Sequence, residues 1–355
     1  MTEVQEPVAS LDTAALTRWL DQHLSDGLGG GLSAELLSGG RSNPTFTITD
    51  GERSWILRRP PYGHVLPSAH DMGREYRVLS ALRDTAVPAP AVVGLCTDED
   101  VIGAPFYVMD KLVGRTLRTQ ADTATLTTEQ RQALGESMLD TLVAIHEVDP
   151  ARVGLEDWGR PVGYLDRQLS RWSRQWEASR TRALPVVTDL LGRLAAALPE
   201  ANLPGVVHGD FKIDNLMLDP DDPTRIIGVL DWEMSTLGET LTDVGILCSF
   251  WDQPGEPFNP ITAGATALSG FGTRSSVVGG YAERRGVEVS GLDWYTVFAD
   301  VKLAVILEGI HARHSQGQTV GDGFAGIGAM VEPLLERALA TARASSDPRL
   351  QGRNG

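Results

Sequence analysis

The chain's 355 residues, 42% hydrophobic and 22% charged, can build two lobes with separate cores, and that composition excludes disorder as the main state. A formal net charge of −16 argues against non-specific binding to nucleic acid or to an anionic membrane surface, because both require a cationic face. No apolar run approaches the roughly eighteen residues of a membrane span, the opening MTEVQEPVAS lacks a basic and apolar leader, and Cys96 and Cys248 have no metal-site or disulfide spacing, so a cytoplasmic protein with two buried thiols is expected.

Leu11, Leu16, Leu20 and Leu24 recur at helical spacing and predict a helix over residues 11–25. The DGLGGGLS that follows is no dinucleotide loop: such a loop leaves a strand and opens a helix, whereas this one leaves a helix and enters the strand LSAELL. A tight turn, Ser38-Gly39-Gly40-Arg41-Ser42-Asn43, leads to a strand with Phe46 and Ile48 on one face, and Asp50-Gly51 turns the chain back through Trp55, Ile56 and Leu57. Met72, Tyr76, Leu79 and Leu82 form the stripe of one helix, ended by the prolines at 88 and 90. Two more strands, AVVGLC and PFYVMDKLV, complete a small antiparallel sheet. After GRTL the patterns become long helices, over 134–145, 164–180 and 186–198, and the only strands expected beyond flank HGDFKIDN and RIIGVLDW. Strands first and helices afterwards argue an α+β fold: a β-rich lobe over residues 1–110, a helical lobe over 111–345, and a frayed tail over 346–355.

The chemistry is concentrated in VVHGDFKIDNLML, residues 206–218, and in the apolar run 226–230 that ends at Asp231. His-x-Asp-x-x-x-x-Asn, then a strand ending in Asp, is the residue set of metal-assisted phosphoryl transfer. One carboxylate, Asp210, accepts the proton of an attacking hydroxyl, while Asn215 and Asp231 offer oxygens to Mg²⁺, a hard cation. His-Gly-Asp alone is a weak signal, because an aspartate after a glycine is commonly a turn residue. Here it follows five strands and a helix, with a glycine turn between the first strands, a cationic pair Arg58-Arg59 at the end of the third strand, and Glu75 on the helix. In kinases a third-strand cation pairs the nucleotide phosphates and is held by a helix carboxylate. A metallohydrolase with His208, Asp210, Asp214 and Asp231 around two metals is the reading from another enzyme class, and it leaves Arg58 and Glu75 without a purpose.

At these residues the chain resembles the aminoglycoside phosphotransferase and choline kinase family, from about Leu36 to Arg313. The segments LRRPPYGHVLPSAHDMGREYRVLSAL, VIGAPFYVMDKLVG, VVHGDFKIDNLML and VLDWEMSTLGETLTDVG look most like the kinase domain fused to acyl-CoA dehydrogenases, a domain associated with phosphorylating hydroxyacyl-CoA. The resemblance implies a two-lobed protein-kinase-like fold that uses ATP and Mg²⁺, with 1–110 as the nucleotide-binding lobe and 111–345 as the lobe of the catalytic loop and acceptor site. It implies Asp210 as the base, Asn215 and Asp231 as metal ligands, Arg58, Glu75 and Ser42 as nucleotide-site residues, and Met109 to Lys111 as the hinge whose backbone binds adenine. Many relatives carry lysine where Arg58 stands, and a guanidinium is a fork where an ammonium is a point charge. Thr240 stands where proline is common, a change expected to be neutral.

His208 reads as a structural histidine orienting the loop, since kinase chemistry gives the base to an aspartate. Asp214 reads as a solvent-facing loop carboxylate, and Asp243 as a cap or hydrogen-bond anchor for the catalytic loop. Six arginines stand between Arg160 and Arg182, interleaved with Tyr164, Trp172 and Trp176. They form either a solvated surface face or the border of an acceptor pocket in which Arg167, Arg171 and Trp172 meet an anionic substrate. The expected activity is transfer of the ATP γ-phosphoryl group to the hydroxyl of a small molecule, with a hydroxyacyl-CoA or other anionic hydroxy compound as acceptor. An aminoglycoside, suited to the overall acidity, and a catalytically silent nucleotide-binding pseudokinase are the alternatives.

Overall fold

The computed structural model describes residues 11–37, 43–61, 71–317 and 324–352, so Ser42 and its turn lie outside the described residues. The chain divides into two compact units, one running to Val113 and taking in Gly228–Glu233, the other formed by Gly114–Ile227 and Met234 onward.

The first unit opens with α1 (Thr13–His23), whose N-terminal amides at Ala14 and Ala15 donate to the Asp12 carboxylate. Its Leu16 and Leu20 are fully buried among Phe46, Ile48, Trp55, Leu57, Phe106 and Val108, and truncating either leucine to alanine removes about 2–5 kcal/mol. The sheet contains β1 (Ser33–Leu36), β2 (Thr45–Thr49), β3 (Ser54–Arg58), β4 (Val92–Cys96) and β5 (Phe106–Asp110), in the order β1-β2-β3-β5-β4. Alternation sends Trp55 and Leu57 of β3 into the core, and Arg58 falls opposite Tyr107 of β5. Between β3 and β4 lies α2 (Met72–Leu82), capped by Asp71. Of the expected stripe it buries Met72, Leu79 and Leu82, while Tyr76 is only half-buried, and it also buries Glu75 and Val78.

The second unit is mostly helical. It begins with α3 (Gln120–Thr123) and α4 (Thr128–His146), the latter starting six residues before the expected helix because Thr127 and Gln130 form a capping box. Then come α5 (Tyr164–Ser179), α6 (Pro185–Ala196), β6 (Pro204–Val207), β7 (Leu216–Leu218), β8 (Ile226–Val229) and β9 (Thr236–Glu239). β6 pairs with β9 and β7 with β8, and the chain leaves this unit partway along β8. The last helices are α7 (Leu241–Phe250), α8 (Arg274–Arg285), α9 (Leu292–Ser315) and α10 (Val331–Ala344). α7 is buried along its whole length, Asp243 included, with α9 packed on it and α10 on α9.

The end of the chain corrects one expectation. Residues 346–352 do not fray: Leu350 is 1% exposed, and the Arg193 guanidinium donates to the carbonyls of Leu350 and Gln351. No helix among the described residues is long and apolar enough to cross a membrane.

Candidate active site

In the helical unit, β6 delivers the chain to His208-Gly209-Asp210. Gly209 takes φ +86°, and a Cβ there would stand 2.7 Å from the carbonyl oxygen of Met234, so only glycine fits. Asp243, in the first turn of α7, holds this turn from below. Its Oδ2 accepts from the His208 amide at 2.6 Å and from His146 Nε2 at 3.2 Å, and its Oδ1 from the Gly209 amide at 2.8 Å. Burial alone would raise the Asp243 pKa, but the His146 hydrogen bond, the nearby His146 and His208 imidazoles and the Gly209 amide hold it below the ordinary value. The fully buried His208 accepts the Asp210 amide on Nδ1 at 3.2 Å, an orienting contact within the loop.

Asp210 presents its two oxygens unequally. Oδ2 accepts from Lys212 Nζ at 2.6 Å and from Asn215 Nδ2 at 2.9 Å. The same Nδ2 donates to the Asp210 carbonyl at 2.8 Å, so the amide nitrogen of Asn215 is committed and its carbonyl oxygen is left as the available donor atom for a hard cation. Lys212 escaped the sequence reading although it stands two residues after Asp210. A cation inside a short acidic motif was the available signal. Asp214 is not solvent-facing: its side chain is 22% exposed, 3.4 Å from Lys212, with a pKa raised chiefly by burial. The amide and hydroxyl of Thr240 both donate to the Leu203 carbonyl at 3.0 Å, bonds that a proline could not make.

In the sheet unit, Arg58 Nη2 lies 3.3 Å from Glu75 Oε1 and 3.9 Å from carboxylate oxygens of both Asp231 and Glu233. Tyr107 donates its hydroxyl to Glu75 at 2.9 Å. Burial disfavours the Arg58 charge, but Tyr107, Glu75, Asp231 and Glu233 outweigh it and hold the guanidinium protonated. Burial raises the Glu75 pKa, and Arg58 and the Tyr107 hydroxyl offset this only in part. Arg59, by contrast, is buried and donates to the backbone carbonyls of Pro60 and Ile102. Of the two arginines, therefore, Arg58 is the cation that the helix carboxylate holds.

Asp231 has φ +65°, a left-handed conformation that costs a non-glycine residue free energy and concentrates at functional positions. Its buried Oδ1 has no hydrogen-bond donor. Oxygens of Glu75, Asp231 and Glu233 lie within 4.8 Å of one another, three carboxylates against one guanidinium, and this donor set suits a divalent cation. Glu233 and Tyr107 were both missed from sequence. The first stands two residues beyond Asp231, and the second is visible only through strand register. Met109 is buried at the end of β5 and Lys111 is exposed just after it.

The tryptophans of α5 face inward, Trp172 at 5% and Trp176 at 2% exposure, while Arg167, Arg171 and Arg174 face outward around a concavity of about 430 Å³. Arg167 donates to the carbonyls of Arg160 and Val162 and so ties down the loop before the helix. Arg171 has no such tie, and its guanidinium stands 5.2 Å from the Trp172 ring centroid.

A small antiparallel sheet with one buried arginine–glutamate pair, joined in one chain to a helical unit that presents this loop, is the architecture of a kinase-type phosphotransferase acting on hydroxyl groups of small molecules. Over residues 33–285 the sequence matches the Phosphotransferase enzyme family, and the chain belongs to that family. Rat acyl-CoA dehydrogenase family member 11 is 33% identical over 346 residues, which cover 95% of this chain but 44% of that protein. The chain thus spans less than half the length of this curated relative. The crystal structure of a Ralstonia eutropha protein provisionally named an aminoglycoside phosphotransferase is 33% identical, with a TM-score of 0.81, and the match covers 95% of this chain and all of that one. The aminoglycoside phosphotransferase APH(4)-Ia, solved with AMP-PNP and hygromycin B, is 16% identical with a TM-score of 0.60, covering 92% of this chain and 99% of that one, a likeness of fold.

Proposed function

We propose that the chain transfers the γ-phosphoryl group of ATP to a hydroxyl of a small anionic acceptor, with Asp210 as general base. The observation that carries this reading is the asymmetry of Asp210, whose Oδ2 is fixed by Lys212 and Asn215 while its Oδ1 remains open to a substrate hydroxyl. In the transfer Asp210 takes the hydroxyl proton, the acceptor oxygen forms its bond to the γ-phosphorus, and the bond to the ADP oxygen breaks. Arg58, held by Glu75, would pair the nucleotide phosphates, with the 109–111 backbone as the adenine contact and Ser42 as a further nucleotide contact. Mg²⁺ would be held by the Asn215 carbonyl oxygen and by Asp231, with Glu233 as an additional carboxylate, and when bound it neutralises charge on the β- and γ-phosphoryl oxygens.

The preference for an anionic acceptor rests on the unengaged Arg171 beside Trp172 and on the acyl-CoA dehydrogenase name of the relatives, which points to a hydroxyacyl-CoA. The net charge of −16 supports the second reading, a polycationic aminoglycoside. The deciding experiment measures ATP consumption with Mg²⁺ against 3- and 4-hydroxyacyl-CoAs, aminoglycosides, choline and sugars, with Asp210→Asn as the blank. Turnover of a hydroxyacyl-CoA that disappears in the variant is expected. Turnover confined to aminoglycosides overturns the acceptor, and an Asp210→Asn variant as active as wild type overturns the base.

A further inference from the structure

One partly buried cation has no part in the chemistry so far described. Lys302 lies midway along α9, and its Nζ donates to the carbonyl oxygen of Gly209 at 2.7 Å while standing 5.7 Å from the centroid of the Trp172 ring. The amide of the same Gly209 donates to Asp243 Oδ1 at 2.8 Å. The residue immediately before Asp210 is therefore held on one side by a carboxylate from α7 and on the other by an ammonium from α9. Gly209 needs both holds. Its left-handed conformation and the nearby Met234 carbonyl leave no room for a side chain that could anchor the turn itself. We propose that Lys302 is a positioning residue for phosphoryl transfer, fixing the peptide that aims the Asp210 carboxylate and coupling it to the Trp172 face of α5. This rests on the reading of Asp210 as the base.

The placement carries a free-energy cost that packing does not explain. Burial pushes the Lys302 ammonium down to about 8, against the opposing pull of Asp210 and Asp243, while Arg171 and Lys212 push it the same way as burial. Those four groups, from the loop, α7 and α5, are the charges that act on it most strongly. A methionine would fill similar volume with no charge to desolvate. Retaining an ammonium there is understandable if its charge-assisted bond to Gly209 is what the site requires.

The test uses the full chain with Lys302→Met, Lys302→Arg and, as a control on the base, Asp210→Asn. Amide hydrogen exchange needs no acceptor: in Lys302→Met the 208–212 segment should exchange about tenfold faster or more, the equivalent of one lost charge-assisted hydrogen bond, with α9 unchanged and Lys302→Arg close to wild type. In phosphate release from Mg-ATP with water as acceptor, Lys302→Met should lower the saturated rate about tenfold with the KM for ATP within about twofold. The wild-type rate should fall as pH rises through about 8, where the ammonium is lost, and Lys302→Arg, charged throughout, should abolish that limb. The melting temperature of Lys302→Met should match or exceed that of wild type. Unchanged exchange in Lys302→Met, an alkaline limb that persists in Lys302→Arg, or a Lys302→Met protein that melts well below wild type would each overturn the proposal. An active Asp210→Asn would instead overturn the assignment of the base.

Discussion

Asp243→Asn separates anchoring of the loop from chemistry more cleanly than any change to the loop itself. The side chain is fully buried, and its two oxygens receive three donors, the amides of His208 and Gly209 and the Nε2 of His146. Asparagine keeps the shape but turns one oxygen into an NH₂, and in either orientation that NH₂ faces a backbone N–H. With the NH₂ at the Oδ1 position, the less costly of the two, the Gly209 amide is orphaned, at about 1–3 kcal/mol, and the two remaining bonds lose an ionised acceptor, at about 1 kcal/mol each. The sum, about 3–5 kcal/mol, corresponds to a fall in Tm on the order of 10 °C for a unit of this size. The pH dependence follows with a definite sign. The folded pKa of Asp243 lies below its unfolded value of 3.8, so its contribution is whole above about pH 4 and is lost as pH falls through the folded value. Thermal melts of both proteins from pH 3 to 8 should converge at the acid end. Because Gly209 precedes Asp210, the phosphoryl-transfer rate should fall roughly a hundredfold as the base loses its aim. An Asp243→Asn protein that melts within a degree of wild type at pH 7, with its rate intact, would refute the view that this carboxylate holds the turn.

Three further outcomes follow from the same geometry. Arg58→Ala should weaken ATP binding by roughly tenfold or more in calorimetric titration, whereas Arg59→Ala should lower Tm and leave ATP affinity within about twofold, because Arg59 is spent on the Pro60 and Ile102 carbonyls. On α5, Arg171→Ala should raise the acceptor KM severalfold without changing that for ATP, and Arg167→Ala should spare both, its guanidinium being tied to the Arg160 and Val162 carbonyls. Asp300, buried on α9 beside Ser249, has its pKa raised by burial to about 6 despite the counter-pull of Arg337. A group with a raised carboxyl pKa stabilises the fold below its unfolded value of 3.8 and loses that stabilisation as pH rises through about 6, a difference of about 3 kcal/mol. Asp300→Asn should therefore raise Tm at pH 7.5 and have little effect at pH 3.5, and a Tm lowered equally at both would count against it.

What the sequence disclosed and what it hid divide along physical lines. His208, Asp210, Asn215 and Asp243 belong to local motifs, and the stripes of α1, α2 and α5 are local periodicities, so each is written within a few residues of itself. Arg58 and Glu75 were legible as members of an ordered series, but the choice between Arg58 and Arg59 required knowing which one strand alternation turns toward Glu75. Tyr107 is set by strand register, Lys302 meets Gly209 across 93 residues, and Leu350 is docked beside Arg193 from 157 residues away. No window of sequence contains those pairs. Lys302, which with Asp300 interrupts the otherwise apolar stretch ADVKLAVIL of α9, was a cue that something polar awaited it, though not what.

The acceptor question turns on the same distinction between sums and places. A net charge of −16 is a property of the whole solvated surface, and screening limits its reach to roughly 8–10 Å at physiological ionic strength. A substrate at the loop meets the local set instead, where Lys212, Lys302 and Arg171 stand against Asp210, Asp214 and a buried Asp243 already engaged by three donors. Lys212 is already paired with Asp210 and Asp214, and Lys302 with the Gly209 carbonyl, so the cation left to meet a carboxylate or phosphate is Arg171, which makes no ion pair among the described residues. The local balance therefore favours the anionic acceptor over the aminoglycoside, and it predicts that added salt raises the acceptor KM by weakening attraction to Arg171; a KM that falls with salt would mean the acceptor is a cation.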